Sequence, residues 1–212
     1  MDPKNPFGGE RRGYHHGSLK DALLDAARSL LAERGPAGFT LAEAAKLVGV
    51  TAAAHYRHFT DRNALIGELA RRGFEQFGAR LAHAWDDGRP DPQTALSRMG
   101  TEYLAFSRDE PGLYTAMFNT MAALSAPPTG SSAEKPLETL RSAARRVLRR
   151  RGALEGGAKE LALEIWAMSH GVAMLALAGR LDPRDAESDP AVILGSGVAA
   201  LVEMAVRRGG AD

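Results

Sequence analysis

The 212-residue chain contains no cysteine. A disulfide scaffold, a thiolate zinc site and a thiol nucleophile are therefore excluded. Aromatic residues are scarce at 6%, although 44% of the chain is hydrophobic. The core must then be built largely from Ala, Leu, Val and Met, a mix that favours helices over sheets. An excess of one charge is lacking too: 27 Lys and Arg against 26 Asp and Glu leave a formal net charge of +1, which speaks against disorder. The opening residues MDPKNPFGGERRG lack the apolar core of a secretory signal, so a cytoplasmic protein is expected. The longest apolar-looking run, residues 161–179, contains Glu164 and His170. It predicts a buried helix rather than a membrane span, and no membrane partner. No stretch alternates with period two for long enough to predict a strand.

What is present is helical periodicity with clear punctuation. Residues 1–13 combine Pro, Gly and charges and read as a flexible arm. Leu19, Leu23, Ala26, Ala27, Leu30 and Leu31 follow helical spacing until Gly35-Pro36. Thr40-Leu-Ala-Glu43 is a capping box opening a helix of about two turns, which Gly49 ends. Thr51 caps a second short helix over residues 52–58, and Asp61 caps a long one carrying Ile66, Leu69, Phe74, Phe77, Leu81 and Trp85. Two short helices separated by a Gly turn, with one helix before and a long one after, form the outline of a helix-turn-helix.

Beyond Trp85 the pattern stays helical. Asp91-Pro92 and Asp189-Pro190 are cap-plus-proline starts, and Pro111 separates two further helices. Residues 125–136 read as a loop by composition, with the next helix beginning at Leu137. The count reaches about nine helices, so the fold class is all-α. The last two long helices are apolar on more than one face, which calls for burial from several sides and makes a second chain the natural neighbour. Charge is uneven: residues 1–74 hold eleven Lys and Arg, eight Asp and Glu, and four of the six histidines. That modest basic bias is what a polyanion partner would require.

Tyr14-His-His-Gly17, Leu19, Ala22-Leu-Leu24 and Ala26-Ala27 resemble the first helix of TetR-like (tetracycline-repressor) transcriptional regulators. Phe39-Thr-Leu-Ala-Glu-Ala-Ala45, Leu47-Val-Gly-Val50 and Tyr56-Arg-His-Phe59 resemble that family's helix-turn-helix, and Asp61-Arg-Asn-Ala-Leu65 the start of the helix after it. Trp166-Ala-Met-Ser-His-Gly171 resembles a Trp…His-Gly signature of one subgroup. The resemblance implies a homodimer with a small DNA-binding domain over residues 14–62 and an effector-binding and dimerisation domain over residues 63–212. Its partners would be double-stranded DNA carrying a palindromic operator and a small-molecule effector, with a second copy joined through the last two helices. No cofactor and no metal are implied.

Motif position then gives the candidate DNA contacts. Thr40 offers its hydroxyl and the amides of a helix N-terminus to phosphate. Ala52, Ala53, Tyr56, Arg57 and His58 fall on or near the groove-facing side of the recognition helix, and Arg62 matches the basic position that the family uses on phosphate. Tyr56 and His58 would contact the backbone, fixing register rather than sequence. Thr51 adds one hydroxyl, while the alanines read a thymine methyl and donate nothing. Arg57 is the residue of this segment able to grip guanine bidentately. His55 departs from the apolar or Pro residue common in the family; it either touches the backbone or packs with its apolar edge.

The C-terminal part gathers most of its large and soft side chains in one set: Tyr103, Phe106, Tyr114, Met117, Phe118, Met121, Trp166, His170 and Met174. Such a set lines an apolar pocket with a few polar handles, or it is ordinary core. The first alternative predicts a repressor released by a small apolar or aromatic ligand, the second a constitutive repressor. Catalysis has no support: Ser169 and His170 are adjacent on a helix and point apart. The arginines between Arg141 and Arg151 read as a solvated face.

Overall fold

The computed structural model describes residues 19–35, 37–51, 57–118 and 131–210. Among them are eight α-helices and no strand. They are α1 (Leu19–Arg34), α2 (Leu41–Val48), α3 (Arg62–Trp85), α4 (Pro92–Asp109), α5 (Pro111–Phe118), α6 (Ser131–Arg150), α7 (Ala158–Leu177) and α8 (Pro190–Gly209). The further helix expected over residues 52–58 falls mainly on residues outside those described. Arg57 and His58, which are described, lie in a turn.

The helices begin and end where their chemistry requires. The Thr40 hydroxyl accepts from the Glu43 amide, and the Glu43 carboxylate accepts from the Thr40 amide. This reciprocal cap satisfies two of the four orphan amides of α2. Gly49 closes α2 in the left-handed region at φ 76°, where a side chain would be strained. Asp61 accepts from the Ala64 amide at 2.8 Å, Asp91 from Gln93 and Thr94, and Asp189 from Ala191. Of the loop expected over residues 125–136, residues 131–136 are helical instead, and residues 125–130 lie outside those described. Helix α6 already begins at Ser131 and contains Pro136. The proline lies in the second turn, where it removes one backbone bond near an end already short of partners, and it packs where Gly78 of α3 leaves room.

Helix α3 is the spine, with α1, α4, α5 and α6 against it. One continuous core runs from Leu23, Leu30 and Phe39 through Leu65, Ile66 and Phe77 to Leu148, Leu161 and Val202. At the N-terminal end, α1 is clamped to α3 by ions. Glu68 takes Lys20 at 3.2 Å and Arg71 at 2.8 Å, while Arg72 reaches Asp21 at 2.7 Å. Helix α5 packs on α1 at closest range through Gly112. A Cβ there would stand 2.1 Å from the Arg28 carbonyl oxygen.

Helices α7 and α8 are both long and apolar enough to cross a bilayer by length and composition. In the fold they lie side by side, with Arg208 of α8 pairing to Glu160 and Glu164 of α7.

Candidate functional site

Among the described residues, two of the expected DNA-reading positions, Thr40 at the start of α2 and Arg62 at the start of α3, come together beside Phe39. Thr40 is exposed at the α2 N-terminus, but its hydroxyl is already committed: it accepts from the Glu43 amide and donates to the Glu43 carboxylate at 3.0 Å. Glu43 in turn accepts from Arg34 at 3.1 Å, and the Thr40 hydrogen bonds hold its carboxyl below the usual range. What α2 offers a phosphate is therefore the pair of amides at Leu41 and Ala42 that the capping box leaves over. Thr51, Arg57 and His58 are exposed. Arg62 is half-buried, with its guanidinium 4.8 Å from the centre of the Phe39 ring. Phe39 immediately precedes Thr40, so this cation–π contact brings the α3 cation beside the α2 N-terminus. Ala52, Ala53, His55 and Tyr56 lie outside the described residues.

The basic helix α6 is a different kind of surface. Arg141 and Arg145 pair with Glu138, Arg146 with Asp87, Arg149 with Glu155 and Arg151 with Glu203. Most of the charge of this segment is answered within the chain.

The second candidate set comes together around α4, α5 and α7. Tyr103, Phe106, Tyr114 and Met117 are buried; Phe118, Trp166, His170 and Met174 are half-buried; Met121 lies outside the described residues. At the centre, the Tyr114 hydroxyl and the Nδ1 of His170 are 2.7 Å apart, and the Tyr103 hydroxyl is 3.5 Å from each of them. Burial pushes the Tyr114 phenol up to about 12 and the His170 imidazole below its ordinary value. The ring is accordingly neutral near pH 7, and with its proton on Nε2 the Tyr114 hydroxyl donates to Nδ1. Rings enclose this polar group: Phe118 lies 4.8 Å from His170 and 4.9 Å from Tyr114, and Trp166 stands edge-on to Tyr103 at 6.0 Å.

Two members of the expected set play other parts. Met117 packs on Gly73 of α3, where a Cβ would come within 2.7 Å of its sulfur. Phe106 is fully buried between Phe77 and the Arg80 guanidinium. Phe77, absent from the expected set, touches Tyr103, Phe106 and Trp166. Its signal was visible as part of the α3 apolar stripe, but a stripe does not distinguish a cluster centre from ordinary core. Ser169 donates to the Ile165 carbonyl at 2.8 Å, so its hydroxyl is spent on its own helix.

Comparison with known proteins follows these two regions. Residues 23–69 match the family profile described as bacterial regulatory proteins, tetR family, and residues 96–201 match tetracyclin repressor-like, C-terminal domain. The chain belongs to the TetR family. It is a TetR-family transcriptional regulator with an N-terminal DNA-binding helix-turn-helix domain. Solved structures agree with that fold. A protein of unknown function from Rhodococcus sp. RHA1 superposes with a TM-score of 0.70 at 27% identity, covering 93% of this chain and 98% of its own. A putative transcriptional regulator from Pseudomonas aeruginosa PAO1 gives 0.70 at 18% identity, covering 90% and 93%. A TetR-family transcriptional regulator from Pectobacterium atrosepticum gives 0.62 at 22% identity, covering 91% and 94%. No match was found among curated proteins.

Helices α7 and α8 also leave large apolar side chains on their outer faces. Leu163, Leu175, Val192 and Met204 are exposed to between 46% and 55%. Between them α8 presents Gly195, Ser196, Ala199 and Ala200, also exposed. Small side chains at this spacing allow a second helix to approach closely.

Proposed function

We propose that this TetR-family chain is a cytoplasmic homodimer that represses from a palindromic operator and releases it when a small apolar or aromatic effector binds. The division falls near residue 62, with the reading head before it and the effector and dimerisation domain after it. Pairing through the outer faces of α7 and α8 would set two recognition helices one turn of DNA apart. Thr40, Thr51, Ala52, Ala53, His55, Tyr56, Arg57, His58 and Arg62 form the DNA surface in this reading, and Arg57 reads a G·C pair. The effector site is the aromatic cluster, and the Trp166-to-Gly171 segment belongs to the subgroup that it resembles. The observation that carries the effector assignment is the Tyr103, Tyr114 and His170 polar group enclosed by Phe118 and Trp166. Buried polar groups among rings supply orientation to an otherwise apolar ligand.

The direct test is selection of bound sequences from a random duplex pool, followed by a salt titration of the best site. A palindrome with a salt slope of about −0.9 per neutralised phosphate supports the dimeric reader. Arg57→Ala should then lose about 1–3 kcal/mol of discrimination at one G·C pair per half-site. No enriched site at low salt, with the dimer confirmed, rejects the reading. A second reading, a constitutive repressor, is favoured by the direct ring-to-ring packing of the cluster. It predicts that no apolar compound releases the selected operator.

A further inference from the structure

A separate cavity opens on another face of α4, away from Tyr103 and Phe106. It occupies about 290 Å³ at the corner where the second half of α4 meets the end of α7 and the start of α8. Its walls include Leu104 and Ala105 of α4, Ala176 and Leu177 of α7, and Leu181 and Pro190 beyond it. None of the aromatic cluster lines it.

The polar groups of these walls already have partners within the chain. The Thr101 hydroxyl donates to the Ser97 carbonyl and the Ser107 hydroxyl to the Leu104 carbonyl. The Asp189 carboxylate accepts from the Ala191 amide, and Arg108 pairs with Asp109. Arg108 and Asp189 keep bonding capacity, but the apolar walls of Leu104, Ala105, Ala176, Leu177, Leu181 and Pro190 offer a polar ligand nothing in return for the water it gives up. An apolar ligand loses nothing of the kind and covers Leu177, which is 42% exposed. The volume lies at the small end of ligand pockets, roughly 300–1,000 Å³. At the packing density of an organic crystal it holds roughly 200 Å³ of molecule, the size of a two- or three-ring hydrocarbon.

We propose that this corner is a binding site for a small, uncharged, apolar molecule, distinct from the aromatic cluster. Its occupant ties the second half of α4 to the segment between α7 and α8. It sits a short way before Glu110, the single residue that joins α4 to α5. The site goes beyond the effector reading above and stands or falls by direct binding, whatever the operator proves to be.

The test uses the full chain and the neutral fluorophore N-phenyl-1-naphthylamine. Fluorescence titration should show a saturable site in this corner, with any second site at the aromatic cluster told apart by its insensitivity to the two variants that follow. Ala191→Trp fills the cavity from an exposed wall position, and Leu177→Asp places a charge in the apolar wall, also at an exposed position. Each should weaken the dye at least tenfold while circular dichroism and gel filtration stay as wild type. Dye affinity unchanged in both variants, or no saturable binding by the wild type, overturns the proposal.

Discussion

Replacing Gly112 by alanine should strike the joint between the C-terminal domain and the DNA-binding domain. A Cβ at this position would stand 2.1 Å from the Arg28 carbonyl oxygen and 2.9 Å from its Cγ. Carbon–oxygen contacts relax only at about 3.3 Å or more, so α1 and α5 must part by about 1 Å. The obstacle is backbone and cannot rotate aside. Overpacking of this kind costs about 1–3 kcal/mol, occasionally more, out of a total stability of about 5–15 kcal/mol. With a urea slope of about 3 kcal/mol/M, the unfolding midpoint should fall by about 0.3–1 M at fixed protein concentration. Gly67 of α3 is the control, because nothing lies within 4 Å of a Cβ there. Gly67→Ala should raise the midpoint through helix propensity, about 0.5–1 kcal/mol. Operator affinity should fall in the Gly112 variant and stay unchanged in the Gly67 variant. A Gly112→Ala midpoint at or above that of wild type would refute the steric argument.

Other consequences are equally open to measurement. Arg71 holds the Glu68 carboxyl at about 2 against an ordinary 4.5, with Lys20 adding to it. Its contribution is therefore complete above about pH 4.5 and is lost as pH falls through about 2. Glu68→Gln should flatten that acid limb of the urea midpoint, and superimposable limbs would reject the clamp. His170 shows the opposite protonation chemistry, since burial lowers its pKa from 6.5 and the unfolded chain takes the proton first. Stability should fall as pH drops below about 6.5, and the slope over that window should shrink in His170→Gln. Ala199→Arg should convert the proposed dimer to monomer in sedimentation velocity, because close approach of a second helix to the small-residue face of α8 would leave no room for a guanidinium. A variant that sediments as a dimer would move the interface elsewhere.

The ends of the helices were legible because capping chemistry is local. Thr40 with Glu43, Asp61, Asp91 with Pro92 and Asp189 with Pro190 each perform in the fold the role that their spacing predicts. The start of α6 was not legible, because Pro136 looks like a breaker unless the facing Gly78 is known. The membership of the aromatic cluster was legible in the same sense: large side chains at helical spacing must meet somewhere. Which of them turn toward His170 depends on how helices cross. Sequence spacing alone cannot separate Phe118, which packs on the imidazole, from Met117, which fills the notch at Gly73. The cavity beside α4 left no sequence signal, because Leu104, Ala105 and Leu177 are ordinary helix residues whose meaning arises only where three elements converge.

Glu110 links the aromatic cluster, the proposed effector site, to the DNA-binding domain. Glu110 donates its amide to the Phe106 carbonyl and accepts the Tyr114 amide at its own carbonyl, both at 2.9 Å. Its carboxylate accepts from Arg28 of α1 at 3.2 Å. Tyr114 thus has its hydroxyl on His170 and its backbone on the residue that touches the head. The ion pair itself is too exposed to carry much energy, since its side chains are 43% and 24% exposed and such pairs contribute about 0–1 kcal/mol. The steric seat of Gly112 under the Arg28 carbonyl is the stiffer element, because a displaced α5 must either lift α1 or collide with it. An effector that moves Tyr114 therefore acts on α1 through shape more than through charge. By linkage, it weakens operator binding only by the factor by which the operator weakens its own, a coupling of about 1–3 kcal/mol in typical cases. Removing the charge with Glu110→Gln should then leave most of that coupling intact, whereas wedging the seat open should abolish it.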